Sequence, residues 1–361
     1  MRYLSLFSGI EAASEAWIPL GWECVGVSEV NPFACRYLKH HYPDVPNLGD
    51  ITKITKEQVE ALGHIDVVVG GFPCTDLSIA GLRKGLLNEE GTATRSGLFF
   101  DAMRVAKWSG ARFILVENVH GIFSSKKGAD FASVVAEMAG LDHVEVPKYG
   151  WGSEGVALGD NGLLEWCTLD AQWFGVAQRR RRMFALLDTG DWQSRQPILL
   201  ERESLRGDTP PSRSEREEIA GEVTDGVGKC SIEGLIHSTS GDISYCLNAG
   251  GMGRCDLESE TMIYRTNAAG QIMNQGDIDA ALNTFTDPTA QFLFSSAFGV
   301  RRLTPLEGER LQGFSDNKTN IPRASDSARH KAIGNSFAVP VVRWIGKRLM
   351  EVFNYGLQQV A

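Results

Sequence analysis

A run of branched apolar residues, broken by two glycines and followed by Phe72-Pro73-Cys74, limits most strongly what this chain can become. Ile65 to Val69 reads as a buried strand, and Gly70-Gly71 end it. A buried parallel strand that feeds a glycine-rich loop leaves that loop outside the carboxyl ends of a sheet, where open α/β folds hold their ligands. Pro73 stiffens the backbone before Cys74, which would give a thiolate a fixed direction of attack. On this stretch alone, a nucleophile and a cysteine buried in a turn weigh equally. The expected fold class is α/β.

The same pattern of an apolar run closed by polar residues recurs along the chain. Residues 2–7 stop at Ser8-Gly9 and are followed by EAASEAW, which reads as strand, small-residue loop and alanine-rich helix. No G-x-G-x-x-G follows, so the nicotinamide fingerprint is missing. Trp22 to Val27 is a second strand with Glu29 at its carboxyl end, where an acid can hydrogen-bond a ribose. Standing alone, Glu29 reads better as a solvated residue or a cap for the helix starting at Asn31-Pro32. Asp50 falls at a further strand-to-loop junction. Phe113 to Val116 is another buried strand, closed by Glu117-Asn118-Val119. A glutamate there is costly to bury unpaired, so it needs a partner or a task.

Between these runs, residues 82–96 read as a mobile surface loop, 130–141 as an amphipathic helix and 147–162 as a glycine-rich insertion without an assignable role. A strand is expected over 164–169. Arg179 to Arg182 run straight into the apolar Met183 to Leu187, where a localisation tag does not belong; a strand's period of two gives Arg180 and Arg182 a shared direction. From about Gly190 the texture changes. Residues 195–228 read as an extended linker and 231–295 as a small β-rich region. Thr304-Pro305 starts a helix, and a last one carries Val339, Val342, Ile345, Leu349 and Val352 on one face.

The net charge of −9 gives no support to a nucleic-acid partner, but it is local: residues 190–295 hold 17 acidic and 8 basic side chains, which accounts for all of it. The seven cysteines form no CxxC pair and are odd in number, which argues against zinc and against a disulfide framework, and no metal is expected. No apolar run suits a signal peptide or a membrane span, and the expected compartment is a reducing cytoplasm.

Taken in order, these stretches resemble the cytosine-5 DNA methyltransferase family. The resemblance rests on Phe7-Ser8-Gly9-Ile10, Glu29, Gly49-Asp50-Ile51, Gly71-Phe72-Pro73-Cys74, Gly97-Leu98-Phe99, Glu117-Asn118-Val119, Gln178 to Arg182, Arg302-Leu303-Thr304-Pro305 with Leu311-Gln312-Gly313-Phe314, and Gly334-Asn335-Ser336. It covers about residues 1–190 and 298–350 and skips a variable middle. It implies a Rossmann-like methyltransferase core built from 1–189 and completed by 325–361, with a linker and a smaller β-rich target-recognition domain in 190–324. The implied activity is methyl transfer from S-adenosylmethionine to C5 of a flipped-out cytosine in double-stranded DNA, through a Cys74–C6 adduct, in restriction-modification or phage DNA protection.

The resemblance also implies roles. Cys74 is the nucleophile, Glu117 holds cytosine N3, and Arg180 and Arg182 neutralise O2 and brace the site. Phe7, Ser8, Gly9, Ile10, Glu29, Val30, Asp50, Ile51, Phe72, Pro73, Asn335 and Ser336 line the cofactor. Arg83, Lys84, Gln178, Arg254, Arg265 and Arg302 contact DNA, with loop 82–96 as a lid over the extruded base. A monomer is expected, with a cognate restriction endonuclease as an optional partner in a bacterial or phage-carrying cell. Three departures stand out: Ser8 and Glu11 where the family commonly has small residues, and Thr75 where many members carry glutamine. The rivals are a transfer-RNA cytosine methyltransferase, whose Cys-Phe-Thr triplet is absent here, a non-catalytic DNA-binding relative, and a folate-dependent modifier of pyrimidine C5.

Overall fold

The computed structural model describes residues 1–72, 97–193, 195–200, 236–238, 262–265 and 301–360. By contact the chain divides into two units, one of Met1–Asp170, Arg181–Asp208 and Val341–Ala361, the other of Ala171–Arg180 and Thr209–Pro340.

The first unit opens with β1 (Arg2–Leu6), α1 (Ala12–Trp17), β2 (Glu23–Ser28), α2 (Pro32–His41), α3 (Lys56–Glu60) and β3 (Val67–Gly71). It continues with α4 (Gly97–Ser109), β4 (Phe113–Val119), α5 (Ala129–Ala139), β5 (Glu154–Gly159), β6 (Gly162–Asp170) and β7 (Arg181–Asp188). Side-chain caps start the helices where the sequence offers them. Asn31 accepts the Phe33 and Ala34 N–H groups before Pro32, and Thr55 with Gln58 forms a capping box.

The strands form one mixed sheet in the order β2-β1-β3-β4-β7-β6-β5. β2, β1, β3 and β4 are parallel, and β7, β6 and β5 follow antiparallel. Tyr3, Leu4, Val67, Val68, Val69, Phe113 and Leu115 are buried, as central strands covered on both faces require. The chain passes from β1 to β2 on one side and returns to β3 on the other. The order therefore reverses at β1, whose carboxyl end is the crevice where such sheets bind ligands.

Two expectations change here. Part of the 147–162 insertion is the edge strand β5, paired with β6. Gly155 lies against the Trp166 ring, where a Cβ would overlap the indole. Trp151 packs edge-on to Phe131 and Trp166 and donates to the Gly128 carbonyl at 2.8 Å. Gly155 thus makes room for aromatic packing. Residues 195–200, expected in a loose linker, are held tightly. Arg195 pairs with Glu165 and Asp188, and the Glu165 carboxylate accepts the Ile198 and Leu199 N–H groups; those four partners are buried, as is the Arg195 side chain. A local reading of charge and proline content cannot see this anchor, because its acids come from β6 and β7.

The second unit contains β8 (Ile236–Ser238), β9 (Met262–Arg265) and β10 (Arg301–Arg302) in a small antiparallel sheet, then α6 (Pro305–Gln312) and α7 (Asp326–Asn335). Thr304 and Glu307 form the capping box of α6, and Gly313 ends it at φ 78°. α8 (Val339–Val360) carries the chain back into the first unit. All five residues of its expected apolar face are buried.

Candidate active site

β1 ends in a turn whose backbone alternates into the left-handed region at Phe7, Gly9 and Glu11, with φ of 53°, 55° and 56°. Ser8 stitches this turn to β2: its N–H donates to the Ser28 carbonyl, and its hydroxyl accepts the Ser28 N–H, both at 3.2 Å. Ser8 is therefore a structural fastener. Ile10 is fully buried, so only its backbone is available to a ligand.

Glu29, just past β2, accepts the Gly9 N–H on Oε2 at 2.8 Å and the Val30 and Asn31 N–H groups on Oε1 at 2.8 and 2.7 Å. A carboxylate offers about four acceptor sites, so Oε2 retains room for one more donor. Val30 leaves its side chain exposed. Asp50 accepts the Thr52 N–H and hydroxyl on Oδ1, and the Thr52 hydroxyl holds its carboxyl below the usual range. Ile51 packs into the core. An apolar recess at the carboxyl ends of β1, β3 and β4 is lined by Leu6, Phe7, Gly70, Phe72, Met103 and Val116 among others.

One strand further along, β3 and β4 bring the next group together. Gly71 lies opposite Glu117, and Glu117 opposite Phe184 of β7. Arg182 Nε sits 3.1 Å from Glu117 Oε1, with both side chains mostly buried. Asn118 is buried, and its amide donates to the Phe72 carbonyl at 3.1 Å while its Oδ1 accepts the Val119 N–H. Phe72 stacks on Phe99 at 4.8 Å between centroids. Pro73 and Cys74 lie outside the described residues, as do Arg83, Lys84, the rest of loop 82–96 and Arg254. Arg265 and Arg302 lie at the ends of β9 and β10.

In the second unit, Arg180 is buried and donates to the carbonyls of Gly334 and Ser336 at 2.9 and 2.7 Å. It braces the Gly334-Asn335-Ser336 turn. Asn335 is exposed at the end of α7, while Ser336 is buried. Gln178, expected on DNA, is instead fully buried, and its amide donates to the Leu311 carbonyl at 2.9 Å. Gln312, quoted in a motif but given no role, donates to the Ile333 carbonyl at 2.9 Å. Asn118 is the other residue without an expected role. Its one available signal was its position beside Glu117 at the end of an apolar strand.

The sequence profile of C-5 cytosine-specific DNA methylases matches residues 1–351. The chain belongs to this family. Among curated relatives, a DNA N-6-adenine-methyltransferase of Escherichia phage P1 is 31% identical over 96% of the chain, which spans 61% of that protein's length. The type II methyltransferase M.HpaII of Haemophilus parainfluenzae is 26% identical over 97% of the chain and 89% of its own. The methylase fold is also that of the Schizosaccharomyces pombe Dnmt2 methyltransferase (S. pombe; TM-score 0.57, 16% identity, covering 98% and 99% of the two chains). It is shared with a putative DNA modification methyltransferase from an Escherichia coli prophage (TM-score 0.56, 16% identity, covering 98% and 99%).

Proposed function

We propose that this chain is a DNA cytosine-5 methyltransferase that uses S-adenosylmethionine. The observation that carries the proposal is the end of β4. There Glu117 holds Arg182 and Asn118 holds the Phe72 carbonyl, two residues before Cys74. An acid, a cation and the anchor of a thiol-bearing segment meet at one sheet edge.

The C5 carbon of cytosine is a poor nucleophile. Addition of the Cys74 thiolate to C6 moves electron density toward N3 and O2 and makes C5 an enamine carbon able to attack an electrophilic methyl. Glu117 is assigned to N3, where it shares a proton with the ring as charge builds. Arg182 is assigned to hold Glu117 and supply positive charge beside O2, and Arg180 to position the Gly334–Ser336 turn. Loss of the C5 proton and elimination of the thiolate then release the methylated base. A base inside a duplex is out of reach of these groups, so the cytosine must be flipped out, at a cost of a few kcal/mol.

The residues at the carboxyl ends of β1 and β2 suit the cofactor. The recess beside Phe7 is apolar enough for an adenine, and Glu29 Oε2 has an acceptor site left for a ribose hydroxyl. Bound S-adenosylmethionine supplies the methyl group as an electrophilic sulfonium. Asp50, Asn335 and Ser336 are assigned to its remaining edges, and Arg265 and Arg302 to DNA phosphates. We assign 190–324 to a linker, anchored on the first unit at 195–200, and a target-recognition domain. A cognate endonuclease and a cytoplasmic, monomeric enzyme complete the proposal; among the described residues no helix is long and apolar enough to cross a membrane.

The name of the phage P1 relative favours one competing product, N6-methyladenine. Nucleoside analysis of DNA methylated with labelled cofactor separates the two. Label in 5-methylcytosine supports the proposal, whereas label confined to N6-methyladenine or to RNA overturns it. A duplex carrying 5-fluorocytosine should trap a denaturation-resistant adduct with the native chain and none with Cys74→Ser.

A further inference from the structure

We infer that Glu11 is a positioning residue of the cofactor loop, which holds the Phe7–Glu11 turn in place only while its carboxyl carries a proton. The inference rests on the cofactor site proposed above.

Glu11 adopts the left-handed conformation, at φ 56° and ψ 56°, where a glycine would sit without strain. Its N–H donates to the Ser8 carbonyl at 2.8 Å, so it closes the turn that presents Gly9 to Glu29. The side chain turns inward and is 1% exposed. Oε1 accepts the Ser14 hydroxyl at 3.1 Å, and Oε2 is buried with no hydrogen-bond partner. A buried carboxylate with one oxygen unsatisfied is strongly disfavoured against the neutral acid.

The surroundings supply no cation. Tyr3 and Ser5 face Glu11 from β1, Ser14 from α1, Cys24 from β2, and Tyr42 from beyond α2. Burial holds Tyr3, Cys24 and Tyr42 well above their usual values, so all three are neutral. Glu29 acts on Glu11 with charge of the same sign. Arg343 of α8 donates to the Glu15 carbonyl, and among the described residues no ion pair reaches Glu11. Burial pushes the Glu11 carboxyl up to about 7, against smaller opposing effects from Ser5 and Ser14.

As pH rises past that value, the ionised side chain must reach water. It is almost wholly buried, so it can do so only by opening the turn that carries Gly9 and Phe7. Cofactor affinity should therefore fall as pH rises through neutrality.

Calorimetric titration of the full chain with S-adenosylmethionine, from about pH 6 to about pH 9, tests this. The native Kd should rise by up to about tenfold per pH unit above the transition. Glu11→Gln should remove the part of that slope that is not the ligand's own titration. Glu11→Gly, which suits the left-handed backbone, should do the same and serves if the glutamine variant folds poorly. At about pH 8, paired buffers of different ionisation enthalpy should show the native chain taking up more protons on binding than either variant. Equal slopes and equal proton counts in native and variant chains overturn the proposal. Absence of binding at every pH overturns the cofactor site itself, and the two failures are distinct.

Discussion

The Asn118 side-chain amide donates to the backbone carbonyl of Phe72 at 3.1 Å, across the carboxyl ends of β4 and β3. Phe72 directly follows β3, so one buried amide holds the backbone at the carboxyl end of that strand. Glu117 precedes Asn118 and holds Arg182, so acid and anchor sit side by side on one strand end.

Asn118→Ala should leave the Phe72 carbonyl buried without its donor, at a cost of about 1–3 kcal/mol in stability. A displacement of the thiol by even a fraction of an ångström should lower kcat by more than it raises the KM for DNA. Steady-state kinetics and urea melts of the variant check both; a variant with native kcat sinks the anchoring role.

Glu117→Gln keeps the shape of the side chain but cannot shuttle a proton or hold Arg182 as an ion pair. Methyl transfer should fall about 100- to 10,000-fold. The 5-fluorocytosine adduct should form correspondingly slowly, read on denaturing gels. Near-native turnover would remove Glu117 from the chemistry.

Glu11 makes stability pH-dependent. Its carboxyl lies at about 7 in the folded chain against 4.5 for the free group. The folded state therefore binds the proton more tightly, and its contribution is complete below the free value and lost as pH rises through about 7. The native urea midpoint should fall across that window, and Glu11→Gln should flatten the curve, with a separation of up to about 3 kcal/mol at pH 8. A native curve without that fall would contradict the buried acid.

Arg195 bridges Glu165 and Asp188 in a nearly dry site. Arg195→Ala takes the cation from buried Glu165, while Asp188 keeps the Arg112 guanidinium at 2.9 Å, and should cost about 3–5 kcal/mol. Urea melts of Arg195→Ala and Arg195→Lys decide it: an equal loss in the lysine variant, which keeps the positive charge, would mean that the guanidinium's packing and hydrogen bonds, not its charge, dominate.

Much of the first unit was legible because its signals are local. Val67 to Gly71 and Phe113 to Val119 announce themselves as strands by composition, and Asn31-Pro32, Thr55 and Thr304-Pro305 as helix starts by side-chain chemistry. The identity of the polar residues at strand ends was legible for the same reason. The edge strand β5 was not, since its Gly155 accommodates a tryptophan eleven residues away at Trp166. The hold on 195–200 was hidden too, because Glu165 and Asp188 reach it from separate strands.

By itself the amino-acid sequence determined the class of fold and which side chains stand at the carboxyl ends of β1 to β4, because burial on both faces and strand-breaking glycines act over a few residues. Tertiary structure alone decided what those side chains touch. Sequence spacing carries no information about partners such as Asn118 and Phe72, 46 residues apart, or Gln178 and Leu311, 133 apart. It also decided the state of Glu11: the same carboxyl in an exposed turn would be an ordinary anion, and burial beneath the Phe7–Glu11 turn pushes it up to about 7.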